Sequence, residues 1–308
     1  MIRIENLRKK YGKMEALKGL DLEIEKGTVF GFVGPNGAGK STTMSILATL
    51  LEPTGGKAYV GGYDVVKHPK PVRKLLGYMP DFFGVYDHLR VDEYLDFYGE
   101  AYDIPAAERK MIIPQLLELV NLSHKTGAYV DSLSRGMKQR LGLARCLVHN
   151  PEVLILDEPA SGLDPRARIE LREILKELRN MGKTIIISSH ILPELAEMCD
   201  VIGIIEGGEL IACGNVEQIY KQMQGHKVLK IRLSDRAEEL AAKLEALPVI
   251  DQVRVEGQIV TAGFAGTEEE QAALLVDLIQ SGFPLLSFAE GEGNLEEIFL
   301  EITKGVGS

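Results

Sequence analysis

A short apolar run, Thr28–Val33, leads directly into Gly34–Pro35–Asn36–Gly37–Ala38–Gly39–Lys40–Ser41. That string satisfies G-x-x-x-x-G-K-[ST], and it constrains the fold more than any other feature of the chain. It calls for a buried strand, a tight glycine turn and a helix, read here as Lys40–Leu51. The chemistry explains each residue type. A triphosphate needs many donors at close range, and glycines let the backbone approach and turn its N–H groups inward. The helix start adds a partial positive end of roughly half a charge. Lys40 brings a full charge to the β- and γ-phosphates, and the Ser41 hydroxyl is sized to ligate Mg²⁺. Gly34 through Ser41, with Thr42 beside them, are therefore the expected nucleotide-binding residues, with ATP and Mg²⁺ as ligands.

The rest of the chain is read around that unit. Met1–Leu7 and Leu20–Ile24 alternate as strands, and Ala58–Val60, Gly61–Gly62 and Tyr63–Val65 make a hairpin. Val153–Leu156 and Thr184–Ile187 are continuous apolar runs, the mark of strands buried on both faces. Between about Leu89 and His149 the pattern is helical: Val91–Tyr102, Ala106–Val120 and Ser134–Leu147, with Pro114 expected to kink or split the second. From Gly225 onward the order is strand Lys227–Leu233, helix Asp235–Leu247, strands Val253–Glu256 and Ile259–Gly263 around Gly257, a helix opened by a Thr267/Glu270 capping box, strand Phe283–Phe288 and helix Asn294–Ile302. The expectation is an α/β chain with a P-loop NTPase core, an N-terminal antiparallel β subdomain and an inserted helical subdomain at about 89–149. These occupy residues 1–223, and a small α+β ferredoxin-like domain occupies 224–308.

The strand Val153–Leu156 ends in Asp157–Glu158. At a strand end both carboxylates can turn toward a ligand crevice. Asp157 is placed to hold Mg²⁺, and Glu158 to polarise an attacking water as general base. Further upstream, Leu133–Ser134–Arg135–Gly136–Met137 precedes a helix. Ser134 can cap its N-terminus while Gly136 leaves N–H groups accessible to an anion.

With these motifs in this order, residues 1–223 resemble the ATP-binding-cassette (ABC) ATPases, whose signature is usually Leu-Ser-Gly-Gly-Gln. The resemblance implies that Tyr11 stacks on adenine and that Ser161–Gly162–Leu163–Asp164 is the loop after the second nucleotide motif. It also implies that His190 contacts the γ-phosphate, acting with Lys40 and Glu158 in catalysis. Two cassettes would sandwich two ATP molecules, Ser134 and Gly136 of each serving the nucleotide of the other, which makes a homodimer the expected assembly. The implied function is an ATP-hydrolysing subunit of an ABC transporter that powers a separate membrane permease. The C-terminal extension, with Asn294–Phe299, resembles that of drug-resistance and other export systems. A non-transport ABC ATPase and a nucleotide-binding regulatory module are the alternatives.

Three positions depart from the family. Arg135 and Met137 replace Gly and Gln in the signature, and Asp81 stands where Gln usually reaches Mg²⁺. Arg135 either adds charge near the second nucleotide or is solvated. Asp81 either serves as the Mg²⁺ sensor or caps a turn. Phe82, Phe83 and Tyr86 either meet the permease or are buried in the helical block. The other histidines show no metal-ligand spacing. A net charge of −10 argues against nucleic acid as a partner. Cys146, Cys199 and Cys213 form no C-x-x-C pair and suit a reducing compartment. No run of 18 apolar residues is present, and the start lacks a signal-peptide core. The expected location is cytoplasmic, at the inner face of the cell membrane through the permease.

Overall fold

Alternation of apolar and polar side chains sets the first sheet. In β1 (Ile2–Tyr11), Ile2, Ile4 and Leu7 are buried and their neighbours face outward. The step from Ile4 to Leu7 breaks strict alternation. A bulge absorbs it, with Asn6 at φ 44° and its N–H donated to Asp21 Oδ1 at 2.8 Å. β1 pairs antiparallel with β2 (Met14–Ile24) and β4 (Gly55–Val60), and β4 turns through Gly61 and Gly62, both at positive φ, into β5 (Tyr63–Asp64). The sheet order is β2-β1-β4-β5. The computed structural model describes residues 1–82, 84, 88–215, 218–219 and 227–291.

A second, mixed sheet carries the chemistry. β3 (Val29–Val33), β6 (Leu76–Met79), β7 (Val153–Leu156), β8 (Thr184–Ser189), β9 (Val201–Glu206) and β10 (Glu209–Gly214) lie in the order β10-β9-β3-β8-β7-β6. All pairs are parallel except β9 with β10. β3, β7 and β8 are buried at every position, which is why they read as unbroken apolar runs. α1 (Lys40–Leu47) is shorter than the expected Lys40–Leu51, because Ala48 leaves helical geometry and Thr49 takes a φ of 61°. One apolar core joins both sheets through Ile2, Leu20, Phe30, Met44, Val60 and Ile155.

α2 (Pro69–Leu75) precedes β6, and between β6 and β7 come α3 (Val91–Ala101), α4 (Ala106–Leu119) and α5 (Arg135–Leu147). α4 is not split at Pro114. Ile113, Leu116 and Leu117 are buried on both sides of the proline and hold the helix through the one lost backbone bond. α6 (Pro165–Asn180) links β7 to β8, and α7 (Leu192–Ala196) follows β8.

The chain divides into two compact units, Met1–Val216 and Glu217–Ser308. In the second, β11 (Lys227–Leu233), α8 (Ala237–Glu245), β12 (Ile250–Glu256), β13 (Ile259–Phe264), α9 (Glu268–Gln280) and β14 (Leu285–Gly291) form an antiparallel sheet of order β12-β13-β11-β14. Thr267 caps α9 and Glu270 closes the capping box, as its sequence requires. Its own core includes Leu229, Leu240, Val260, Phe264 and Leu278. The expected helix Asn294–Ile302 and the 223/224 boundary lie outside the described residues. Among the described residues no helix is long and apolar enough to cross a membrane.

Candidate functional site

The order β3-β8-β7-β6 sets four segments side by side at the carboxyl ends of parallel strands, about 4.8 Å per step. They are the Gly34–Ser41 loop, His190, Asp157–Glu158 and Asp81. Crevices at such strand ends are where open α/β sheets bind ligands.

The loop shows why its glycines are needed. A Cβ on Gly34 would fall 2.3 Å from the Ile205 carbonyl oxygen. Gly39, at φ 112°, would place one 2.9 Å from the Ala16 carbonyl oxygen. Gly39 heads α1 with no side-chain cap and no acidic residue in the first turn, so the helix N–H groups have no internal anion. Pro35, Asn36, Gly37 and Ser41 are at least partly exposed, Thr42 is half-buried, and Ala38 packs inward. The Lys40 ammonium donates to the Gly34 and Pro35 carbonyl oxygens at 2.6 and 3.2 Å and is 6% exposed. Burial pushes its pKa down, and the charges of Glu158 and Asp157 oppose that shift. A buried cation at an uncapped helix start fits a polyanion.

Ser188, a residue the sequence reading passed over, organises the acidic pair. Its hydroxyl donates to Asp157 Oδ1 at 2.5 Å and accepts the Glu158 N–H at 2.8 Å. Asp157 is 3% exposed, and its own N–H donates to the Met79 carbonyl at 2.8 Å. Glu158 stands at φ 50°, a left-handed conformation that costs a non-glycine residue about 1–2 kcal/mol. The Ser188 bond pins it there. From that position Glu158 Oε2 meets His190 Nδ1 at 3.0 Å, and Glu158 Oε1 lies 3.9 Å from Lys40 Nζ. A carboxylate oxygen accepts here, with the imidazole Nδ1–H as the donor that this contact calls for. The signal for Ser188 is visible in retrospect: two serines close an otherwise apolar run immediately before His190.

Among the described residues, no group of three or more His, Cys, Asp or Glu side chains could hold a metal ion. Magnesium typically keeps waters and takes one or two carboxylates plus substrate phosphates, so a donor set of Ser41 and Asp157 fits Mg²⁺ arriving with a triphosphate. Asp81 is exposed beyond the end of β6, the strand paired to β7. Phe82 is 88% exposed, so burial in the helical block does not hold for it. Phe83 and Tyr86 lie outside the described residues.

Tyr11 ends β1, 44% exposed, with Lys9 Nζ 5.3 Å from its ring centroid. Ser134 caps α5, accepting the Met137 N–H at 3.3 Å. Gly136 does more than leave N–H groups open, since a Cβ there would come within 3.1 Å of Ala167 on α6. The starts of α5 and α6 thus share a cleft of about 200 Å³ lined by Ser134, Arg135, Gly136, Gly162 and Asp164. Arg135 folds over Gly162, whose added Cβ would lie 2.5 Å from the guanidinium carbon. A larger cleft of about 580 Å³, lined by Met1, Arg3, Tyr59 and Leu75, contains none of the motif residues.

The chain is similar to known proteins in sequence and in fold. A family model described as ABC transporter matches residues 17–161. The linearmycin resistance ATP-binding protein LnrL of Bacillus subtilis is 34% identical over 305 residues, 98% of each chain. The Nod factor export ATP-binding protein I of Ralstonia nicotianae is 32% identical over 303 residues, 98% of this chain and 94% of that one. A solved dimeric ATP-binding cassette, in a post-hydrolysis state bound to ADP and Pi, superposes with a TM-score of 0.64 at 25% identity, covering 70% of this chain and 99% of its own. Similarity along nearly the whole length, with a phosphate loop and strand-end carboxylates in one crevice, leads to one conclusion: this chain belongs to the ATP-binding ATPase subunits of ABC transporters.

Proposed function

We propose that this chain hydrolyses MgATP between two copies of itself and uses the resulting closing and opening to drive an export permease. One observation carries the hydrolytic part. Lys40, Glu158 and His190, from three neighbouring strand ends, are linked by distances of 3.9 and 3.0 Å. Gly34 to Ser41 and Thr42 hold the triphosphate, and Tyr11 stacks on adenine. Mg²⁺, held by Ser41 and Asp157 with Asp81 as sensor, neutralises phosphate charge when bound. Glu158 directs a water in line with the γ-phosphate, and Lys40 and His190 stabilise the charge that develops. Ser134 and Gly136, at an α5 start with open N–H groups, take the nucleotide of the second cassette.

The export direction is supported by relatives whose names speak of resistance and export, and by similarity that runs through the C-terminal region. The cassette is read as residues 1–223, and residues 224–308 as a ferredoxin-like domain. Its β-α-β-β-α-β order and β12-β13-β11-β14 arrangement support that reading. The location that follows is the cytoplasmic face of the membrane, through the permease.

The test is phosphate release by the purified full-length chain with ATP and Mg²⁺. Release that stops on chelation is expected. ATP binding without release would leave a regulatory nucleotide-binding module instead. A membrane subunit that co-purifies identifies the permease.

A further inference from the structure

His190 follows β8 and is 49% exposed, so the short segment around it needs an external hold to keep Nδ1 on Glu158. Its own backbone supplies part of that hold: the Ile191 N–H donates to Ser189 Oγ at 3.0 Å. The Ser189 hydroxyl in turn donates to Glu194 Oε2 at 3.3 Å. The other oxygen of Glu194, on α7, pairs with Arg168 Nη1 on α6 at 2.8 Å, and the Glu194 side chain is 12% exposed. Two further pairs tie α6 to the segment that follows α7, Arg172 with Glu197 at 2.5 Å and Arg179 with Asp200 at 2.7 Å.

α6 is the helix capped by Asp164, which accepts the Ala167 N–H at 2.8 Å at the end of the loop descending from Glu158. Arg168 stands one residue beyond that first turn. The carboxylate and the histidine are thus joined twice, once directly and once through Arg168, Glu194 and Ser189. Only the first of the three ion pairs reaches a residue next to His190.

We infer that Glu194, held by Arg168, is a positioning residue for His190 that fixes the imidazole against Glu158. The inference rests on the hydrolytic reading of Glu158 and His190. An unheld histidine segment would misplace the ring relative to the γ-phosphate while leaving the phosphate loop, and so ATP affinity, intact. A misplacement near 1 Å can cost about 10²-fold in rate.

The experiment uses the full-length chain. Glu194→Ala and Arg168→Met are each expected to lower kcat by at least about tenfold, with KM for ATP within about twofold. Both are expected to move the His190 Nδ1 nitrogen resonance, identified by its loss in His190→Gln. Arg179→Met, which breaks the pair whose carboxylate, Asp200, lies farthest along the chain from His190, is expected to leave both readouts near wild type. Wild-type kcat with an unmoved resonance in Glu194→Ala would overturn the inference. If that variant does not fold, the same result in Arg168→Met would overturn it, as would equal losses in Arg179→Met. Glu158→Gln, measured alongside, separates the failures: normal turnover there removes the hydrolytic reading itself.

Discussion

His190 Nδ1 lies 3.0 Å from Glu158 Oε2, joining residues 32 positions apart through the pairing of β7 with β8. The register sets Leu156 beside Ile187, so Asp157–Glu158 and Ser188–His190 follow side by side beyond that last pair. A carboxylate and an imidazole so joined can share the work of orienting water and stabilising charge.

Lys40 is buried among carbonyl oxygens, and its Nζ lies 3.9 Å from Glu158 Oε1. Lys40→Met should raise the Kd for ATP about 10- to 100-fold, the worth of a charged hydrogen bond of roughly 1.5–3 kcal/mol. Calorimetric titration with a non-hydrolysable ATP analogue measures it. An unchanged Kd would remove Lys40 from phosphate binding.

Ser188→Ala removes the one hydroxyl that serves both Asp157 and Glu158. It should cost about 1–3 kcal/mol of stability, because it leaves a buried carboxylate oxygen and an N–H without partners. Turnover should fall about tenfold, as a left-handed Glu158 loses its anchor. Urea unfolding and steady-state phosphate release test the two parts separately.

Much of this site was legible from local order. The phosphate loop is contiguous, and Asp157–Glu158 closes an apolar run. Ser188, Arg168 and Glu194 were not legible, because their partners lie 5 to 31 residues away and meet only through strand and helix packing. β6, β9 and β10 were passed over for a related reason. β9 carries Gly203 within its run and β10 ends the sheet with partly exposed residues, so neither shows the clean buried pattern of β7. The shortened α1 reflects Thr49 at positive φ, which composition does not reveal.

Asp81 follows the strand paired to β7, near the end that carries Asp157. If its carboxylate reaches the Mg²⁺ waters, Asp81→Ala should raise the Mg²⁺ needed for half-maximal turnover about tenfold, the low end for groups that hold metal-bound water. Asp81→Gln should recover most of that loss. Wild-type Mg²⁺ dependence in both variants would leave Asp81 as a turn residue.

His149 stacks on Tyr102 at 3.8 Å and bonds the Leu76 carbonyl at 3.1 Å. Burial, the largest cause, pushes its pKa below the usual 6.5. The unfolded chain therefore binds more protons near that pH, and stability contributed by the neutral ring is lost as pH falls below 6.5. Between about pH 7.5 and about pH 5.5 the wild-type Tm should fall more than that of His149→Phe, which keeps a stacking ring without a titrating group. Equal slopes would show that this histidine does not carry the effect.

In the proposed mechanism Glu158 is the base of a site completed by a second cassette. Glu158→Gln in the full-length chain, followed by turnover and by size-exclusion chromatography with MgATP, tests it most directly. Turnover should drop about 10²- to 10⁴-fold while ATP stays bound and the chain elutes as a dimer. A monomer that hydrolyses ATP at the wild-type rate would contradict it.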